Sequence, residues 1–270
     1  MTGFGVGGLR VTALADGFGL ECAREVLSRE GVEDPWAEHP AEVDEHGDLR
    51  LAVGGYLLRT GDRVVLIDAG VGTIDNGRYR GGAFLESLRR EGLEPEDVTD
   101  VAFTHLHFDH VGWATQKGRV IFPRATHHVH EADWERFVTG PDAEPGSVRK
   151  LSPLSDLVAT FSGDTPIAPG LDARPAVGHT PGSTVYVVSD AGEKAVVIGD
   201  VAHSVVELTE PGWSFAFDAD PVAATLARQE LVAEFLDTGA LIAGAHFPDF
   251  RPGRLRSVGD TITWSTNEEH

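Results

Sequence analysis

Thr104-His105-Leu106-His107-Phe108-Asp109-His110 is the stretch on which the fold and the chemistry of this chain turn. Before it, Val101 to Thr104 has the apolar and β-branched composition of a strand. That strand runs directly into three imidazoles and a carboxylate. Two-residue periodicity places His105 and His107 on one side. Asp109 and His110 follow the start of a turn and point to a neighbouring position, so the segment offers donors to two adjacent metal sites. A lone histidine at a strand end is ordinarily a structural residue, but four donors this dense point to metal binding.

Three later segments supply what two metals would still lack. Gly178-His179-Thr180-Pro181-Gly182-Ser183 sets a histidine in a glycine-flanked turn before a strand. Gly199-Asp200 puts a carboxylate after the apolar run Ala195 to Ile198, and Gly244-Ala245-His246 follows a short strand. Each donor stands at a strand end, where loops leaving one edge of a sheet converge.

Working outward, Leu9 to Leu14 reads as a first strand ending at the turn 15–19, and residues 20–48, polar and acidic with Pro35 and Pro40, as an inserted rim loop. Leu49 to Arg59 and Arg63 to Asp68 form a hairpin through Thr60-Gly61-Asp62, the second strand buried on both faces. Helices are expected over 82–91, 131–138, 153–161 and 221–237. The last has Asp220 as N-cap, Pro221 at its first position, and Val222, Leu226, Leu231 and Phe235 as its apolar residues. Further strands are expected over 120–122, 126–130, 173–177, 183–188, 194–198 and 241–243, with a linker over 139–146 and a fraying tail after Thr263. Two strand-rich runs, each followed by helices, fit an α/β architecture in which two sheets pack face to face under outer helices. The order of elements fits one sheet as well as two.

The chain of 270 residues carries 22 Lys and Arg against 43 Asp and Glu, a net charge of −21. That field repels nucleic acid and anionic membrane surfaces. The one cysteine, Cys22, forms no intrachain disulfide, and neither a secretory leader nor a transmembrane run stands out, so a cytoplasmic protein is expected. Of the twelve histidines, His127, His128 and His130 read as structural. His39, His46 and His270 read as solvent-exposed, like the acidic stretch Glu42 to Asp48.

Taken together, Thr-His-x-His-x-Asp-His, Gly-His-Thr-Pro-Gly-Ser, Gly-Asp and the late Ala-His resemble the metallo-β-lactamase superfamily over about residues 9–246. The resemblance implies an αββα sandwich of two mixed sheets, here filling residues 1–270 as a single domain. It implies that His105, His107 and His179 bind one divalent metal, that Asp109, His110 and His246 bind a second, and that Asp200 bridges them. Nitrogen and carboxylate donors favour zinc, with iron, manganese or cobalt as alternatives.

Departures within the family narrow the chemistry. Asp200 stands where one β-lactam-hydrolysing branch has cysteine, and His107 where flavodiiron proteins have glutamate. Only 24 residues follow His246, too few for the helical substrate domain of the glyoxalase II branch, and the acidic charge disfavours the nucleases. Within the small-molecule hydrolases the chain resembles N-acyl-homoserine lactonases and, through Gly199-Asp200-x-x-His203, the methyl parathion hydrolase branch. His203 stands where such lactonases often carry a tyrosine that donates to the substrate carbonyl.

The implied activity is hydrolysis of a lactone or ester with a hydrophobic arm by a hydroxide bridging two metals, with Asp109 shuttling its proton and His203 on the substrate side. Alternatives are an aryl ester or organophosphate triester hydrolase and, in another class, a metal-retaining binding or regulatory module of a biosynthetic pathway. Phe18, Trp36, Phe108, Trp113, Trp213, Phe215, Phe217, Phe247 and Phe250 are expected to rim a pocket for a small neutral substrate. A homodimer through the 20–48 loop is a further expectation.

Overall fold

The apolar runs of the sequence pair into two sheets in the computed structural model, which describes residues 2–266. The nine-stranded sheet is ordered Val158–Phe161, Thr126–His130, Asp100–Ala102, Arg63–Ile67, Asp48–Thr60, Leu9–Cys22, Tyr79–Gly81, Ile74–Asp75, with Gly3–Val6 also paired to Leu9–Cys22. The seven-stranded sheet is ordered Thr165–Ala168, Leu171–Pro175, Thr184–Asp190, Glu193–Val197, Leu241–Ala243, Gly253–Val258, Thr261–Thr266. Both sheets mix parallel and antiparallel pairs.

Alternation along these strands fills three layers. Val11, Tyr56, Leu58, Val65 and Ile67 of the first sheet meet Leu171, Tyr186, Val188, Ala195 and Val197 of the second in a shared core. Beyond the first sheet, Leu57, Leu66 and Val101 pack against Phe84 and Leu88 of the helix Phe84–Arg90. Beyond the second, Val185, Val196 and Ile242 pack against Leu231 and Phe235 of the helix Pro221–Thr238. This is the αββα sandwich. Asp220 caps the long helix by accepting from the amides of Val222 and Ala223, and Gly239 ends it in the left-handed region at φ 61°.

Several elements differ from the sequence reading. The first strand does not stop at 14 but continues to Cys22, absorbing the expected turn as a bulge between Ala15 and Gly17. Residues 20–48 are no free loop. Ala23, Val26, Leu27 and Trp36 build a small core with Trp213 and Phe215, and the strand Leu27–Arg29 pairs with Trp213–Phe215. The helix expected over 153–161 is a short turn followed by the strand Val158–Phe161, and the true helix, Pro145–Leu151, overlaps the expected linker.

In the long helix Val222 and Leu226 face solvent, because the sheet contact falls on Leu231 and Phe235, while Ala224 is buried against the loop at Gly178. The hairpin Gly253–Val258 and Thr261–Thr266 closes the second sheet where fraying was expected from Thr263 on, and His270 lies outside the described residues. His39 is largely enclosed against Glu210, whereas His46 is exposed. Among the described residues, no helix is long and apolar enough to cross a membrane.

Candidate metal centre

Strand ends bring the donors together. The strands Arg63–Ile67 and Asp100–Ala102 run parallel, as do Glu193–Val197 and Leu241–Ala243, so the segments carrying Asp68, His105 to His110, Asp200 and His246 all leave carboxyl-terminal strand ends. The expected pleat at 104–107 is absent. The strand stops at Ala102, and His105 and His107 are juxtaposed by a loop.

Two tyrosines tie two of the donor loops to the opposite sheet. Tyr186 Oη donates to the carbonyl of Phe103 (2.9 Å), and Tyr56 Oη to that of Gly244 (2.7 Å). Gly199, at φ 53°, is required beside Asp200, since a Cβ there would fall 2.7 Å from the Cβ of Thr104.

The donor atoms form two groups. His105, His107, His179 and Asp200 make one and Asp109, His110 and His246 the other, the offered atoms within each lying within 4.8 Å of one another. Asp200 faces both. Its Oδ2 lies 3.6 Å from His105 Nε2 and 3.3 Å from His179 Nε2, and its Oδ1 lies 3.2 Å from His110 Nε2 and 3.1 Å from His246 Nε2. His107 Nδ1 is 3.0 Å from the Nε2 atoms of both His105 and His179.

Donors about 2.0–2.1 Å from a shared tetrahedral centre stand about 3.3 Å apart, so these separations suit a cation in each group. The polar accounting agrees. His110 Nε2 and Asp200 Oδ1 are buried without a hydrogen-bond partner, which is costly unless something else satisfies them.

The opposite ring nitrogens are held in place. His105 Nδ1 lies 3.1 Å from Thr104 Oγ1, His110 Nδ1 2.9 Å from Asp68, His179 Nδ1 3.0 Å from Asp218, and His246 Nδ1 2.8 Å from the carbonyl of Ala52. Such partners fix the tautomer and the ring orientation of a ligating histidine. Asp68 also accepts from Thr104 N and Oγ1, and it sits at φ 62°, a strained conformation stored at the site.

Electrostatics follow from enclosure. Burial lowers the pKa of His105, and burial together with His179 lowers that of His107 to about 4, so both are neutral donors at pH 7. Burial would raise Asp200, but the surrounding histidines, His246 first, hold it well below the ordinary carboxylate range.

Beside this centre lies a cavity of about 320 Å³, lined by Glu21, Leu51, Tyr79, Phe108, Phe215 and Phe217 together with donor residues and His203. His203 stacks on Phe215 at 3.5 Å with its Nε2 3.3 Å from Asp200. Burial opposes its charge, but the Asp200 and Glu207 carboxylates raise its pKa to about 10. Glu207 accepts from the His203 amide (2.6 Å) and is clamped by Arg228 (2.6 Å).

Of the aromatic residues expected at the rim, Phe108, Phe215 and Phe217 line this cavity and the others do not. Phe18 points to the opposite face of its strand, under Arg50, and lines a separate cavity with Phe250. Trp36 and Trp213 pack on each other at 5.0 Å, and Trp113 is buried and donates to Asp16. Phe247 is buried against Trp264, and Phe250 lies in the core between the sheets.

The histidines at 127, 128 and 130 play structural parts: His127 stacks on Phe103, His128 meets Asp100, and His130 caps the next helix. Sequence reasoning missed Asp68, Asp218, Glu207, Glu21 and Tyr79. For Asp68 a signal existed, since it ends the apolar run Val64 to Ile67 just as Asp200 ends another.

Comparison with known proteins agrees with this geometry. The family model described as the metallo-beta-lactamase superfamily matches residues 52–246. An N-acyl homoserine lactonase of a Bacillus species is 27% identical over 198 residues, 67% of this chain and 76% of that protein. The structure of AidC, described as a dizinc quorum-quenching lactonase in complex with a product, superposes with a TM-score of 0.88 at 23% identity, covering 100% of this chain and 98% of that one. The hydrolase AbOPH of the beta lactamase superfamily gives 0.86 at 26% identity, covering 99% and 97%.

Proposed function

The chain belongs to the metallo-β-lactamase superfamily and is a metal-dependent hydrolase, and on that premise we propose that it opens lactones bearing a hydrophobic arm, with zinc in both donor groups. The observation that carries this reading is Asp200, whose two oxygens each face one donor group at the floor of an apolar cavity. The likeness to lactonases supports the substrate class.

In this proposal His105, His107 and His179 would hold one ion, Asp109, His110 and His246 the other, and Asp200 would serve both. Divalent ions bound there supply Lewis acidity, lowering the pKa of water and polarising a carbonyl. The protein's own groups do the rest. Phe108, Phe215 and Phe217 enclose the arm and exclude water. Asp109, whose Oδ2 is 3.7 Å from His246 Nε2, lines the cavity as part of the second group and moves a proton from the nucleophile to the leaving alkoxide. His203, oriented by Glu207 and Arg228, donates to the substrate oxygen.

The aromatic walls also suit an aryl ester or a neutral triester, the second reading. Turnover of a panel of acyl-homoserine lactones, aryl esters and phosphotriesters by metal-loaded protein ranks the two, and lactones are expected to lead by kcat/KM. Asp109→Asn is expected to keep both metals and lose about 10²–10⁴-fold in kcat. Full turnover with both metals retained would remove Asp109 from the proton transfer.

A further inference from the structure

Among the described residues, apart from the metal donors and His203, two polar side chains line the cavity, Glu21 and Tyr79, in a wall otherwise made of Leu51, Phe108, Phe215 and Phe217. In a mostly apolar pocket the few convergent polar groups set orientation and specificity. We propose that Glu21 and Tyr79 together form a hydrogen-bond acceptor station that selects substrates whose arm carries an N–H or O–H donor next to the ester. This inference rests on the lactone hydrolase reading of the same site.

The station is built into the sheet. Leu51, Gly19 and Tyr79 are directly paired across three strands, Leu51 with Gly19 and Gly19 with Tyr79, so they share one face. Glu21, two residues along from Gly19, lies on that face as well. Gly19 is what lets the tyrosine lie there, since a Cβ at 19 would fall 2.6 Å from Cε1 and 2.9 Å from Cζ of the ring. Phe108 closes the other side of the ring edge-on, with centroids 4.9 Å apart.

Arg78, the residue before Tyr79, donates to Glu21 Oε2 at 2.9 Å and so fixes the carboxylate at the cavity wall. Burial first, then the carboxylates of Asp109 and Glu21, raise the phenol pKa and keep its proton in place. A carboxylate and a phenol oxygen at this wall accept a hydrogen bond from a substrate N–H or O–H. A triester or a plain alkyl lactone brings no such donor.

The test compares two lactones of equal arm length, one joined through an amide N–H and one through a methylene, on wild-type protein and on Tyr79→Phe and Glu21→Leu. Wild-type protein is expected to favour the amide lactone by about 10–100-fold in kcat/KM, the scale of a hydrogen bond to a charged group. Both variants are expected to lose most of that preference through the amide substrate alone, with metal content unchanged. A wild-type protein without preference, or variants that retain it, would overturn the proposal. Wild-type protein that turns over neither lactone would sink the lactone hydrolase reading instead. The station is then judged by calorimetric binding of a non-hydrolysable lactam with the same amide arm: weakening by about tenfold in Glu21→Leu supports it, and unchanged binding overturns it.

Discussion

Asp218 shows how much of this site is decided by single side chains that touch no substrate. Its Oδ1 lies 3.0 Å from His179 Nδ1 and fixes which nitrogen of that ring faces the first donor group. Asp218→Ala is expected to weaken metal binding by about 10–100-fold while leaving the fold intact. Metal content after dialysis against graded chelator, read beside circular dichroism, checks this, and unchanged retention would show that His179 is oriented by its loop alone. Nothing in the local sequence marks Asp218, because the loop that carries it meets His179 only in the folded chain. His105, His107, Asp109 and His110 were legible for the opposite reason, being donors packed into one segment at a strand end.

At the scale of elements, buried ion pairs hold the central strands beside the site. Asp100 is fully buried in the strand that leads to the metal loop and is met by Arg63 Nε (2.7 Å), His128 Nε2 (2.9 Å) and Thr99 Oγ1 (2.7 Å). Burial raises its pKa, but the hydrogen bonds from His128, Arg63 and Thr99 outweigh it and bring the value from 3.8 to about 2. A carboxyl group depressed in the folded state stabilises above its unfolded pKa and loses that contribution as pH falls through the folded value. Asp100 is therefore expected to contribute about 2 kcal/mol at neutral pH, lost between about pH 4 and pH 2. Denaturant melts of wild type and Asp100→Asn across that range check it, and parallel pH profiles for the two would contradict it.

Elements also mark where sequence periodicity misleads. Val158 to Phe161 carries an apolar run short enough for a helix or a strand, and its parallel pairing with Thr126–His130 decides the matter. Phe18 was misplaced by one position of the pleat, which sends it to the face opposite Gly19, Leu51 and Tyr79. Long-range pairing of this kind, invisible to any local window, also explains why Glu21 and Tyr79 went unseen.

For the whole molecule, two sheets share a core and cross-link through Tyr56 and Tyr186, so donors from both converge on Asp200. The net charge of −21 surrounds a centre built to hold cations and opposes anionic substrates on approach, a barrier that neutral ones do not meet. That convergence is tested most directly by lactone turnover followed through chelation and reconstitution, with metal counted per chain. Metal-stripped protein is expected to be inactive, activity to return as two equivalents of zinc are added, and Asp200→Ala never to recover both equivalents or the activity. Full lactone turnover by the stripped protein, or by Asp200→Ala, would contradict it.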